Sequence, residues 1–113
     1  MFTQELAKRL REHSITNVTT NCLHPGAVAT GYGQQTGGIV GAVLSLARPF
    51  MISPEKGAKT SLFLATDPSV ATTSGGFFSK QKPEPVKSSF NTAANNKQLW
   101  EISEQLTNTN FLD

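Results

Sequence analysis

A β-like run that meets a fixed turn is the feature that most constrains this chain. Val18-Thr19-Thr20-Asn21-Cys22-Leu23 leads straight into His24-Pro25-Gly26-Ala27-Val28-Ala29-Thr30. Pro25 fixes its own φ and has no N–H to give a ladder, so a strand arriving from Val18 stops there. Gly26 permits a sharp redirection and a close approach of backbone to a ligand. Val28 and Thr30 then offer a backbone N–H, a carbonyl and a hydroxyl beyond the carboxyl end of the strand. Ligands bind at that end in open α/β sheets. Taken alone, Pro-Gly after a strand is usually only a turn.

Three helical patterns surround this strand. Phe2, Leu6 and Leu10 recur at four-residue spacing, with Lys8, Arg9, Arg11 and Glu12 elsewhere, which predicts an amphipathic helix over 2–12. No capping residue precedes it, as for a helix entered in mid-course. Ser53-Pro54-Glu55 is a helix start, with a hydroxyl N-cap, Pro at the first position and an acid in the first turn. Ala58, Leu62, Ala65 and the Phe63-Leu64 pair mark its buried side, and Asp67-Pro68 ends it. Leu99, Ile102 and Leu106, with Trp100 beside them, mark a final amphipathic helix over 92–107. Residues 108–113 read as a frayed tail.

Gly76 to Ser79 reads as a second short strand, closed by Lys80-Gln81-Lys82-Pro83. A strand, a helix and a second strand in this order make a right-handed parallel crossover. Residues 39–52 are strongly apolar but broken by Arg48-Pro49, and too short to span a bilayer. They fit a core or interfacial helix. Gly31-Tyr32-Gly33-Gln34-Gln35-Thr36 is not a phosphate loop: position 36 is Thr, and no second strand with an acidic residue follows.

Charge and cysteine content exclude several classes. A net charge of +2 spread along 113 residues makes no nucleic-acid footprint. Lys8, Arg9 and Arg11 cluster where cations complement a helix C-terminus, and His13 follows them there. The single Cys22 can form no internal disulfide and reads as a small packed side chain, with His24 on the same strand face. No metal-ligand spacing, secretory signal or transmembrane segment is present, so the default compartment is cytoplasmic. Asn21, inside the strand, needs its amide satisfied by nearby backbone or by a partner.

The pattern Asn21-x-x-His24-Pro25-Gly26-x-Val28-x-Thr30 resembles the segment after the sixth strand of short-chain dehydrogenases/reductases, above all the retinol-dehydrogenase-like members. Phe2 to Leu10 is similar to the helix that follows the family's Tyr-x-x-x-Lys. Ser53 to Ala58 resembles the start of the next helix, Ser74 to Phe78 the last strand, and Leu99 to Ser103 the C-terminal helix. The resemblance implies an α/β chain, a partial Rossmann-like fold in which a C-terminal β-α-β remnant carries flanking helices. It makes 1–113 a single partial domain with a substrate-lid-like insertion at 31–53. The family's Gly-rich loop, Asn-Ala-Gly segment, catalytic Ser and Tyr-x-x-x-Lys would all lie upstream. Tyr32 is the only tyrosine, and no Lys stands four residues on.

By resemblance, the cofactor is NAD or NADP, and Pro25, Gly26, Val28 and Thr30 form the nicotinamide side of its site. No catalytic residue can be assigned, and His24 reads as structural. The function implied is a segment of a nicotinamide-dependent alcohol/carbonyl oxidoreductase. Its substrate would be small and apolar, and the segment alone is expected neither to hold cofactor nor to turn over. The alternative is a non-catalytic interaction module, docking on a full-length relative or forming a homo-oligomer through a helix face or strand edge.

Overall fold

A computed structural model describes residues 1–28, 38–47 and 51–112. The elements are α1 (Phe2–Glu12), β1 (Cys22–His24), α2 (Gly38–Ala47), α3 (Pro54–Thr66), a 3-10 turn (Pro68–Val70), β2 (Phe77–Ser79), β3 (Lys82–Pro83) and α4 (Ala93–Thr107). The three strands form one sheet in the order β1-β2-β3. β1 and β2 are parallel, with Cys22 opposite Phe77, Leu23 opposite Phe78 and His24 opposite Ser79. This is the α/β arrangement and the crossover that the sequence predicts.

The first strand is shorter than the β-like run. It begins at Cys22 rather than Val18 and reaches His24 before Pro25 ends it. Its partner sets the limit, because Gly75 turns with φ +86° just before β2. Asn21 fastens that junction. Its Nδ2 donates to the Thr73 carbonyl at 2.7 Å, and its Oδ1 accepts from the Gly76 N–H at 2.9 Å. The amide is therefore satisfied by backbone of this same chain.

The third strand departs from the sequence reading, which closes the sheet at Lys80. Lys80 and Gln81 take φ of 51° and 62°, the left-handed pair that makes a two-residue hairpin. β3 then returns antiparallel, Ser79 opposite Lys82 and Phe78 opposite Pro83. Pro83 is tolerated because β3 is an edge strand. The Thr60 hydroxyl holds the turn by accepting from the Gln81 N–H at 3.2 Å.

α3 starts as its sequence dictates: Ser53 caps it, accepting from the Lys56 N–H at 3.4 Å, with Pro54 at the first position. Its buried face is not the expected one. Gly57 and Thr60 are buried and Phe63 and Leu64 half-buried toward the sheet, whereas Ala58, Leu62 and Ala65 are exposed, Leu62 by 60%. α4 shows the same reversal. Asn96 and Trp100 are buried, while Leu99, Ile102 and Leu106 are 37%, 44% and 82% exposed. Its inward face packs on α1, where Phe2 stacks on Trp100 with ring centroids 4.6 Å apart and Asn96 Nδ2 donates to Gln4 Oε1 at 3.2 Å.

Residues 108–112 are not a frayed tail. Asn108 caps α4 in the left-handed region, and the chain then folds back over Trp100. The Arg9 guanidinium lies 4.8 Å from the centre of the Trp100 ring and donates to the Leu112 carbonyl at 2.8 Å. Its Nε donates to Glu5 Oε1 at 3.2 Å, a pair in which Glu5 is 3% exposed. Glu104 Oε1 accepts from both Trp100 Nε1 (2.8 Å) and the Phe111 N–H (2.9 Å). The Phe111 N–H is the main cause of a Glu104 carboxyl held below its ordinary range; Trp100 and Arg9 add to it and burial opposes it.

The core built by these contacts is small. Among the described residues its buried apolar members are Ala7, Leu10, Val70, Phe78 and Trp100. The radius of gyration is 17.6 Å, against about 13 Å for a compact chain near this length. α1 ends in a tight cap in which His13 Nδ1 lies 2.9 Å from the Arg9 carbonyl and Ile15 N–H bonds the Leu10 carbonyl.

Candidate functional site

The candidate site grows from the carboxyl end of β1. His24 is exposed and ends the strand, and Pro25, also exposed, follows it. Gly26 takes φ +86°, a conformation that a side chain would strain. A Cβ there would also lie 3.0 Å from Ile52 Cδ1, a tight contact that the end of the Ile52 side chain can shift to relieve, so the backbone conformation is what calls for glycine.

Ala27 and Val28 then run beside Ile52. The Ile52 N–H donates to the Ala27 carbonyl at 2.9 Å, and Val28 pairs with Ile52 in a short parallel bridge. Beneath the turn, Val28 presses on the first turn of α3. A Cβ at Gly57 would stand 2.6 Å from Val28 Cγ2, closer than two carbons can come. The absent side chain of Gly57 is what lets α3 reach the turn.

Of the expected site residues, the structure thus places Pro25, Gly26 and Val28 together beyond β1. Thr30 lies outside the described residues, as do Tyr32 and the rest of residues 29–37. Between residues 31 and 53, α2 spans Gly38–Ala47 and carries no charged residue; Ile39, Val43 and Leu46 are exposed. Ile52 and Gly57 were not singled out by sequence reasoning, although both shape the turn. Their signal was the glycine itself, one turn into a well-capped helix, where its cost to the helix calls for a packing reason.

Cys22 is half-buried, with Sγ 3.5 Å from the Gly76 carbonyl. Among the described residues no group of three or more His, Cys, Asp or Glu side chains could hold a metal ion. No described helix is long and apolar enough to cross a membrane. No phosphate-cradling Gly-rich loop occurs in the 113 residues, and no Tyr is followed by Lys at the fourth position.

The chain is 38% identical to Retinol dehydrogenase 14 of Mus musculus over 112 residues, covering 92% of the chain and 31% of the relative. It is 36% identical to Retinol dehydrogenase 12 of Homo sapiens, over 94% of the chain and 32% of the relative. WW domain-containing oxidoreductase of Homo sapiens is 32% identical, over 94% of the chain and 25% of the relative. No family model matches the chain, and no solved structure matches it. The chain spans about a third or less of the length of the curated relatives it matches. Motif order, α/β architecture and these likenesses agree: the chain is a segment related, over nearly all its length, to the retinol-dehydrogenase-like short-chain dehydrogenases/reductases.

Proposed function

We propose that this chain is the nicotinamide-side segment of an NAD- or NADP-dependent alcohol/carbonyl oxidoreductase, and that it has no turnover by itself. The reading rests above all on the turn at Pro25–Val28. Gly26 at φ +86° and the Val28–Gly57 contact set backbone beyond the carboxyl end of a parallel strand, where α/β sheets take their ligands. In this reading Pro25 and Gly26 shape the turn, the Val28 backbone meets the carboxamide, and Thr30 adds its hydroxyl. The bound nicotinamide would supply or take the hydride. The uncharged stretch of α2 would form part of an apolar wall for the substrate.

Without an acid/base, rates fall by roughly two to four orders of magnitude, and without the phosphate cradle no hydride donor is held. Purified chain is therefore expected to leave NADH and NADPH unoxidised with small carbonyl substrates. It is also expected to leave the fluorescence of either nucleotide unchanged on titration. Turnover above a buffer blank that survives repurification would overturn the reading.

A second reading, a non-catalytic docking module, is favoured by the exposed stripes of α3 and α4. Apolar residues at i, i+3/i+4 and i+7 on two helices are exposed among the described residues, and such stripes mark interaction faces.

A further inference from the structure

The start of α3 carries the turn after β1 at two points. Just before the helix, the Ile52 N–H donates to the Ala27 carbonyl at 2.9 Å, and Ile52 bridges Val28 in parallel. One turn into the helix, Gly57 is buried under the Val28 side chain. A Cβ at Gly57 would meet Val28 Cγ2 at 2.6 Å, Cγ1 at 3.1 Å and Cβ at 3.5 Å. Both methyls of Val28 therefore face the glycine. A valine methyl has only staggered wells to move between, so each other rotamer of Val28 still leaves one methyl there. A side chain at position 57 is relieved in full only when main chain moves.

We propose that Gly57 is a positioning residue for the nicotinamide end of a bound dinucleotide. By lacking a side chain it lets α3 set the height of the Val28 main chain, and with it the carboxamide contact, while the adenine end is held elsewhere. The inference rests on the functional reading above, in which the Val28 backbone meets the carboxamide. Gly57 touches no ligand in that reading and acts through Val28. Helix stability does not call for this glycine, because an internal glycine weakens a helix. Ser53 caps α3 and Pro54 stands at its first position, so the start of the helix is well formed and a push at Gly57 passes into the turn.

The test sets this chain in place of the matched segment of Mus musculus Retinol dehydrogenase 14 and compares the parent chimera with Gly57→Ala and with Gly57→Ala/Val28→Ala. Binding is measured for NADH and NADPH, and for ADP-ribose and its 2′-phosphate, which lack the nicotinamide. Misplacing a positioning group is costly, so Gly57→Ala should bind the reduced dinucleotides at least about tenfold more weakly and the nicotinamide-free ligands within about twofold of the parent. The double variant should recover about threefold or more of that loss. Equal weakening of both kinds of ligand, or no weakening, would overturn the inference. A parent chimera that binds the reduced dinucleotides no better than the nicotinamide-free ligands would instead overturn the functional reading, and the inference with it. Should the chimera not fold, the chain itself gives the answer by NMR. Gly57→Ala should shift the amide resonances of Ala27, Val28 and Ile52 and leave the Trp100 indole signal in place; an unmoved turn would equally overturn the inference.

Discussion

Arg9 Nη1 donates to the carbonyl of Leu112 across 2.8 Å, joining the first helix to the last described residue. The same guanidinium holds Glu5 and covers Trp100. Removing it leaves Glu5, 3% exposed, with only the longer Lys8 contact at 3.8 Å, and breaking a buried pair costs up to roughly 3–5 kcal/mol. Arg9→Met is expected to be severely destabilising by urea denaturation, given total stabilities of about 5–15 kcal/mol. Glu5→Leu combined with Arg9→Met should be less destabilised than Arg9→Met alone, because no charge is left behind. A double variant as weak as the single one would place the cost elsewhere.

Glu104 gives the clasp a pH dependence. Its carboxyl is held below the ordinary range in the folded chain, chiefly by the Phe111 N–H. The contribution is therefore complete above the unfolded value, near 4.3, and is lost as pH falls through the lower folded value. Trp100 is the only tryptophan and donates to Glu104, so its fluorescence should change through that acidic window and stay flat above it. In Glu104→Gln the acid transition should shrink; an unchanged transition would assign it to another carboxylate.

Gly57 and Val28 should be coupled. Gly57→Ala puts a methyl 2.6 Å from Val28 Cγ2, and overpacking of this kind costs about 1–3 kcal/mol. Val28→Ala in the same chain removes the opposing methyls and should recover part of that loss. A double-mutant cycle by chemical denaturation that returns additive energies would show that α3 and the turn do not touch.

Asn21→Ala should loosen the junction of the two parallel strands. It strips partners from the Gly76 N–H and the Thr73 carbonyl, at roughly 1–3 kcal/mol for groups left unsatisfied. Faster hydrogen exchange at Gly76 is the expected local signature. Exchange unaltered from the parent would mean that the backbone finds another partner.

The α4 stripe should govern solubility rather than stability. Ile102 and Leu106 are 44% and 82% exposed, so replacing both by Gln removes apolar surface from water at little cost to the fold. Light scattering after size exclusion is expected to show less self-association, with a denaturation midpoint close to the parent's. A large drop in the midpoint would show that the stripe is packed after all.

Local chemistry made the element boundaries legible. Pro25 stops β1, Ser53 and Pro54 start α3, and Gly26 turns where only glycine turns easily. The hairpin at Lys80-Gln81 was not legible, because both residues take positive φ without the Asn or Gly that normally announces it. The buried faces of α3 and α4 were misread for a different reason. Periodicity identifies an apolar stripe but not what it meets, and Leu62 and Leu106 stay largely exposed among the described residues. The tail was misread because Arg9, over a hundred positions away, decides where Leu112 lies. The turn at Pro25 and Gly26 was readable in advance, whereas the contact of Gly57 arises only when α3 is folded against Val28.

The clasp between α1 and the C-terminal residues also sets a schedule for synthesis. Leu112 is 103 positions beyond Arg9, and Asn96 is 92 beyond Gln4. Ribosomes extend a chain at about 5–20 residues per second, so α1 emerges roughly 5–20 s before its last partner exists. A helix of 11 residues is marginal in water on its own. For that interval the face of α1 that meets Trp100 and Leu112 has neither to pack on.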